Sequence, residues 1–527
     1  MRMPIRHPYA GRWIARINSN IIACGGTPEQ VLRFSRAARY KEIPTIAYVP
    51  LQDNMIFPEI FYQLQNALKA EPGVYLVGGA VRDALLSLPI HDLDFVCTHN
   101  AKSIAKSAAN LLHGDFYVMD ETRLIFRVLI DGDENRILMD FAAIRGDTLE
   151  EDLKHRDFSI NAIAVDLQDP QKLYDPSGGA QAIISKTLTM CSPGAMQDDP
   201  IRVVRGIRLA AQFGLKIEPA TRVAMKSAVQ GLAETTIERI REEVFKIADL
   251  AETDVALKAL SWLGCDSYIF TVLDRSAKTE INDQQKAAIQ IVNSFRVYLD
   301  SLICNTQEEI PQDAISAIVR TELLEYRPFL MKWYEKSLHP DRSRRSMLVF
   351  ALIHLQVHIS DSHADVPYQS GVVFHLSNPE KNYLKKLSNG SVQLLEWNKQ
   401  NKQPSNREKY RFFREFGEAG VDACIAALAV VISQSQNQLI NLNDIADLLN
   451  IVSNVLKTYR DEYKVVIDPP VLMDGDELMR TYQLPPGPLV GEILELVREK
   501  QAAEEIRTKE DIPPVVVNFL NHKNNQG

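Results

Sequence analysis

The stretch LVGGAVRDALLSLPIHDLDFV, residues 76–96, constrains this chain more than any other. An apolar run at 74–77 reads as a strand, two glycines stop it, and a helical spacing takes over after Gly79. Gly78 and Gly79 therefore stand at a strand-to-helix turn, where backbone N–H groups can approach a triphosphate at the helix N-terminus, with Arg82 one turn in. Asp92 and Asp94 follow on the next strand, 92–97, and alternate strand residues share a face, so two carboxylates stand side by side. Such a pair needs a counter-charge. A divalent cation supplies it, and Mg²⁺ is the usual ion where one or two carboxylates and substrate phosphates complete an octahedron. Taken singly, the glycines fit a plain turn and the aspartates a solvated edge strand; it is their combination that points to chemistry.

The rest of the chain divides around this stretch. At roughly 150 residues per domain, a length of 527 suggests about three to four domains. Residues 11–50 read as a small ββαβ module with an Asn-containing turn and a helix opened by Thr27, Pro28 and Glu29. It is similar to a small uncharacterised prokaryotic domain, a likeness that implies no chemistry. A helix is expected at 58–70, with further strand-like runs at 122–130 and 136–143. After about residue 195 the helical period dominates, as in Val203, Ile207, Ala210 and Ala211. The expected fold is an α/β head, a mixed sheet with helices, followed by a long all-α remainder. Its divisions are a module at 1–50, a head at 55–192, a neck at 193–255, a body at 256–465 and a tail at 466–527. Polar runs at 306–312 and 398–406 read as loops within the body, and no internal repeat is visible.

Composition narrows the functional classes. Lys and Arg total 59 against 68 Asp and Glu, a formal charge of −9, which excludes a polybasic coat and leaves nucleic-acid binding to local patches. With 46% hydrophobic and 24% charged residues the chain is globular. Its longest apolar runs, such as 423–432, fall short of the ~20 residues that span a bilayer, and the N-terminus has no secretory pattern. No membrane association is expected. Cys24, Cys97, Cys191, Cys265, Cys304 and Cys424 are scattered without a CxxC pair, which suits reduced thiols in a cytoplasm and argues against a cysteine-built zinc site.

Residues 76–96 resemble the signature of the nucleotidyltransferase superfamily, in particular the class of bacterial tRNA nucleotidyltransferases and poly(A) polymerases. Further segments match in order: DFAAIR, whose Asp140 the resemblance makes the third carboxylate; EEDLKHRDFSINAIAVD at 150–166; YDPSGGAQAI at 174–183; DDPIRVVRGIRLAAQFG at 198–214, similar to the base-reading helix; and IERIREEVFK at 237–246. The resemblance assigns Asp92 and Asp94 to metal and carries Arg156, Asp157 and Asn161 over to nucleotide binding with Gly78, Gly79 and Arg82. His155 stands where the family has an Arg, Ser159 where it has Thr, and Asp198 where Glu is common. His354, in a region where some relatives carry a metal-binding His-Asp pair, is followed by Leu355, so it reads as a packed histidine of a degenerate domain.

The base-reading helix can be argued physically. Asp199 and Arg202 are three apart and so neighbours on a helix surface. A carboxylate that accepts from an exocyclic amine, beside a guanidinium that donates to a ring nitrogen, fits cytosine and adenine and mismatches uracil and guanine. Arg205 shares the face of Arg202, and Arg208 lies about half a turn round from Asp199 at ~100° per residue. The other reading of Asp199, before Pro200, is an N-cap. The segment 471–508 resembles the family's tail: a helix, a Pro-Pro-Gly-Pro turn at 485–488 and a second helix from about Leu489, able to hold an RNA phosphate or to serve as a plain hairpin.

The resemblance implies a Mg²⁺-dependent enzyme that adds CMP and AMP from CTP and ATP to the 3′ end of tRNA in the cytoplasm, with no DNA partner. A poly(A) polymerase or a CC-only or A-only enzyme shares the chemistry, although no Gly-Arg-Arg-Phe-type run stands near 124–130. A catalytically dead RNA-binding protein would not need the three carboxylates, and a small-molecule nucleotidyltransferase would not need the helical body and tail.

Overall fold

The structure is a computed structural model, and it describes residues 9–18, 20–37, 42–51, 54–131, 136–269, 278–303, 313–339, 342–355, 366–436 and 441–524. The expected loop at 306–312 and Cys304 lie outside these residues. The chain divides into two compact units, Met1–Thr235 and Thr236–Gly527.

The first unit opens with strands β1 (Arg12–Ile17) and β2 (Asn20–Gly25), helix α1 (Pro28–Ala37) and strand β3 (Thr45–Val49), in a three-stranded antiparallel sheet with β1 in the centre. Asn18 turns the first hairpin at φ 52°, and the Thr27 hydroxyl accepts from the Gln30 N–H at 3.0 Å, capping α1. The head then adds α2 (Glu59–Ala67), β4 (Val74–Val77), α3 (Gly79–Leu86), β5 (Asp92–Cys97), α4 (Ala101–Leu111), β6 (Asp115–Asp120), β7 (Ile125–Asp131), β8 (Arg136–Ala143), α5 (Leu149–Lys154), β9 (Ala164–Asp166), β10 (Asp169–Tyr174) and α6 (Gly179–Ile184). Seven of these strands form one mixed sheet in the order β10-β9-β4-β5-β8-β7-β6, in which only β5 and β8 pair in parallel.

The strand expected at 122–130 starts later, at Ile125. Residues 121–124 are a turn with Leu124 at φ 54°, and β6, with Tyr117, Val118 and Met119 exposed, supplies the partner strand that the sequence did not announce. One face of the sheet is a closed apolar layer. Leu93 and Phe95 of β5 and Phe141 of β8 are buried there, Phe95 stacks on Phe141 at 5.0 Å and on Phe61 of α2 at 6.4 Å, and α4 covers β7 and β8. The alternate residues of β5, Asp92 and Asp94, point the other way.

Behind the head come a short parallel pair, β11 (Thr187–Leu188) and β12 (Lys216–Ile217), and helices α7 (Ala195–Asp198), α8 (Ile201–Phe213) and α9 (Pro219–Ala228). The backbone at Asp199 agrees with its reading as a cap before Pro200. Helix α8 runs from Ile201, and Pro200 before it is already helical at φ −61° and ψ −24°; Asp199 is extended and its backbone carbonyl accepts from the Arg202 N–H at 3.0 Å, the backbone geometry of an N-cap residue followed by proline. Gly206 lies against Phe158 and Met225, where a Cβ would stand 2.6 and 2.9 Å from their side chains, so α8 packs closely on the head.

Among the described residues the second unit is helical from Ile237–Ala248 to Ile512–Asn524, apart from a two-stranded pair at Ser337–His339 and Arg342–Ser343. The apolar run at 423–432 lies inside helix Ala419–Gln436 and is buried almost throughout, as the centre of a helical core. Among the described residues no single helix is long and apolar enough to cross a membrane. The tail has the expected pair, Gly475–Tyr482 and Pro488–Ala502, and adds a third helix, Ile512–Asn524. Leu478, Ile493, Val497, Ile512 and Val516 join the three in one core.

Candidate active site

The site grows from the register of the sheet. Asp94 pairs with Val77 on one side and with Asp140 on the other, and Asp140 pairs in turn with Arg127 of β7. Because directly paired residues share a face, Asp94, Asp140 and Arg127 line one row on the side away from the phenylalanine layer. Strand β4 ends at Val77, so the Gly78–Gly79 turn falls beside the start of β5, where Asp92 stands. Gly78 has φ 77°, a conformation that disfavours a side chain, and its N–H donates to the Ile163 carbonyl at 3.1 Å.

Two guanidinium groups close over this turn. A Cβ at Gly78 would lie 3.4 Å from Arg156 Nη1, and one at Gly79 would lie 3.4 Å from Arg82 Nη2. Arg82 donates to both oxygens of Asp83 at 2.9 and 3.0 Å and to Asn161 Oδ1 at 2.6 Å, and its guanidinium stacks on the Phe213 ring at 4.6 Å. Asn161 donates in turn to Asp157 Oδ1 at 3.2 Å, and Arg205 of α8 reaches Asp157 Oδ2 at 3.4 Å. Burial works to raise the Asp157 pKa, but Arg205, the Phe158 N–H, Asn161 and Arg202 outweigh it and hold the carboxyl below its usual value. Arg156 is held from α5 by Asp152, which is almost fully buried, with both contacts at 3.2 Å.

The carboxylates differ in their partners. Asp140 is gripped in a two-pronged pair by Arg127, Nε to Oδ1 and Nη2 to Oδ2, both at 2.8 Å. Asp94 touches solvent but is ringed by protein: desolvation pushes its pKa up to about 6, opposed by Arg156 and Arg127 and reinforced by Asp140 and Asp92. Among the described residues no group of three or more His, Cys, Asp or Glu side chains is gathered to hold a metal without help. Asp92 and Asp94 offer hard oxygen donors on one face, the set that suits Mg²⁺ once phosphate oxygens complete its coordination.

On α8 the arginines are placed differently from one another. Arg202 is buried; its Nη1 donates to the carbonyls of Ala195 at 3.0 Å and Arg156 at 3.4 Å, its Nη2 to that of His155 at 2.9 Å, and its Nε lies 3.8 Å from Asp199. Arg208 donates to Gln212 at 3.0 Å, further along the helix. His155 turns its ring back to the Glu151 carbonyl at 2.8 Å and is exposed, so this ring closes the end of α5. The structure thus sets Arg156 and the Gly78–Gly79 turn beside the carboxylates and joins Arg82, Asn161, Asp157 and Arg205 in one chain of contacts that starts at that turn, with Arg202 acting through the backbone.

Three residues were missed from sequence. Asp152 stands four before Arg156 on a helix, a spacing that does announce the pair. Asp83 follows Arg82 directly, and adjacency along the chain does not announce an ion pair. Arg127 is the one charged residue inside the apolar run LIFRVLI, a signal that is readable only once its register with Asp140 is known.

Residues 74–189 match the poly A polymerase head domain, and residues 214–274 match a segment described as "Probable RNA and SrmB- binding site of polymerase A". Residues 6–52 match a family of unknown function. A CC-adding tRNA nucleotidyltransferase of Geobacter sulfurreducens is 27% identical over 83% of this chain and 90% of its own length. One from Synechocystis is 37% identical over 33% of this chain, which spans 41% of that relative. The Thermotoga maritima CCA-adding enzyme complexed with tRNA-CCA has the same fold, at a TM-score of 0.56 and 20% identity, over 88% of this chain and 97% of that one. Residues 74–189 and 214–274 thus carry the head domain and the following segment of poly(A) polymerases, and over most of its length the chain is similar to a CC-adding tRNA nucleotidyltransferase.

Proposed function

We propose that this chain adds CMP and AMP to the 3′ end of tRNA without a template, taking them from CTP and ATP and releasing pyrophosphate, as a cytoplasmic enzyme. The observation that carries this reading is the meeting of the Gly78–Gly79 turn, Arg82 and Arg156 with the Asp92–Asp94 pair. The turn and the two guanidinium groups bind the triphosphate, while Asp157 and Asn161 hold Arg82 and Arg205 in place. Asp92 and Asp94 would hold Mg²⁺. When bound, such ions lower the pKa of the RNA 3′-hydroxyl and stabilise the departing pyrophosphate. Asp140 is the third carboxylate beside them, and Arg127 neutralises it until the site is loaded.

Base choice falls mainly to Asp199, which accepts the exocyclic amine of cytosine or adenine. Arg202, with most of its N–H groups already given to carbonyls, keeps Asp199 and the Arg156 backbone in place and offers what remains to the base. Arg205 and Arg208 support them from the same helix. A second reading, CC addition alone, is favoured by the name of the Geobacter relative that spans most of the chain. One assay separates the two. Purified protein is given tRNAs lacking the whole CCA end, its last two nucleotides or only the final A, and a generic oligoribonucleotide, with each labelled NTP supplied separately. Repair of all three tRNAs supports CCA addition, and failure only on tRNA lacking the final A supports CC addition. Extension of the generic RNA with AMP overturns both.

A further inference from the structure

The ββαβ module at the N-terminus is bound to the head at three places, two of which lead to elements of the nucleotide site. First, it covers the outer edge of the seven-stranded sheet: the Trp13 indole donates to the Leu173 carbonyl at 2.9 Å, and the Leu173 N–H donates to the Tyr48 hydroxyl at 3.0 Å, so side chains take both backbone groups of this edge residue. Second, Gly26 lies directly on the turn after β10. Its carbonyl accepts from the Asp175 N–H at 2.8 Å, and a Cβ there would fall 1.5 Å from the Asp175 carbonyl oxygen. Third, Glu150 in the first turn of α5 receives Arg33 at 2.9 Å and the Thr27 hydroxyl at 3.5 Å, both from the module.

From these contacts two short routes lead inward. The fully buried Asp175 carboxylate accepts from the N–H groups of Gly179 at 2.6 Å and Ala180 at 3.0 Å, which sets the start of α6. A Cβ at Gly179 would stand 2.0 Å from the Ser159 carbonyl, so α6 lies against the turn Ser159–Asn161 that presents Asn161 to Arg82. Along α5, Glu150 is followed within the same helix by Asp152, the residue that holds Arg156. We propose that the module is a positioning element for the nucleotide site, bracing the Asp175 turn and the start of α5 and, through them, Asn161 and Arg156. This inference rests on the nucleotide-site reading given above.

The test uses full-length protein and measures CTP binding by calorimetry in MgCl₂, together with the KM for CTP, the KM for tRNA and kcat. Gly26→Ala forces the module off the Asp175 turn. Arg33→Glu repels Glu150, and Arg33→Glu with Glu150→Arg restores opposite charges. Both single variants are expected to weaken CTP binding and raise its KM about three- to tenfold, with the KM for tRNA unchanged, and the charge exchange is expected to recover part of the loss. If Gly26→Ala does not fold, the charge pair decides alone. CTP affinity within twofold of wild type in every folded variant overturns the proposal. Wild-type protein that binds CTP but extends no tRNA would instead sink the activity reading, with the brace still open to the binding measurement.

Discussion

The head and the second unit each hold a cluster of arginine, aspartate and aromatic side chains, and they use it in opposite ways. In the head, Asp92, Asp94, Asp140 and Arg127 stand on one face of the sheet that solvent reaches. In the second unit Arg344 and Asp422 are 1% and 0% exposed. Arg344 donates to Glu418 at 2.5 Å and lies 4.2 Å from the centre of the Trp333 ring, and the Trp333 indole donates to Asp422 at 3.2 Å. Burial drives the hydroxyls of Tyr334 and Tyr383, beside Asp422, to stay protonated. His354 nearby in sequence is enclosed by Phe350 and Phe374, with Nδ1 against the Phe350 carbonyl at 2.8 Å. The same residue types leave an open face of carboxylates where water enters, and make a structural knot where it does not.

That contrast can be broken by substitution. The largest effect should follow Asp94→Asn, which keeps shape but removes one charge from the open row. Nucleotide incorporation should fall by about three orders of magnitude, since a bound cation is worth several kcal/mol, while tRNA binding persists. The melting temperature should hold or rise, because a crowded carboxylate has gone. Incorporation near the wild-type rate would remove Asp94 from the chemistry.

Asp422→Ala should behave in the reverse manner. It leaves the Arg344 charge and the Trp333 N–H without their buried partner, at a cost of about 3–5 kcal/mol to the second unit in denaturant titrations. Its kcat, measured well below unfolding, should be unchanged. A loss of kcat in stably folded protein would show that the closed cluster also serves the reaction.

His354 sharpens the same contrast through pH. Burial lowers its pKa to about 4, against roughly 6.5 in an unfolded chain. Between those values the unfolded state binds the extra proton, so this contribution to stability is complete above about pH 6.5 and is lost as the pH falls towards 4, by up to about 3 kcal/mol. Urea midpoints followed by tryptophan fluorescence should show this slope in wild type and a flatter one in His354→Phe. Equal slopes would mean that the histidine is already charged in the fold.

The smallest effect expected is on base choice. Asp199→Asn should leave the melting temperature nearly unaltered, because Asn and Asp cap a helix about equally well. The amide can turn to donate to the O4 of uracil, so the ratio of kcat/KM for CTP over UTP should fall by about ten- to a hundredfold, the worth of one charge-assisted hydrogen bond. An unchanged ratio would transfer selection to Arg202.

Much of the head was legible because its signals are local. Two glycines after an apolar strand and aspartates at alternate positions report their own geometry, since a turn that disfavours Cβ and a period of two are properties of a few consecutive residues. The ββαβ module, with its Asn18 turn and Thr27 cap, was readable for the same reason. Strand β6 was not: it lies at the sheet edge with Tyr117, Val118 and Met119 all exposed, and an exposed edge lacks the alternation that marks a half-buried strand.

The sequence by itself determined which residue types could do chemistry, and in what order along the chain: a glycine turn, two carboxylates, a third on a later strand, then arginines on helices. Only the tertiary structure decided their partners. That Arg127 takes both oxygens of Asp140 depends on the register between β7 and β8, that Arg202 spends its donors on the carbonyls of residues 155, 156 and 195 depends on how α8 lies on the head, and that Gly26 rests on Asp175 joins positions 149 residues apart. Pairings of this kind come from packing whole elements together, where burial and hydrogen-bond satisfaction are settled for all the neighbours at once and no local stretch records the outcome.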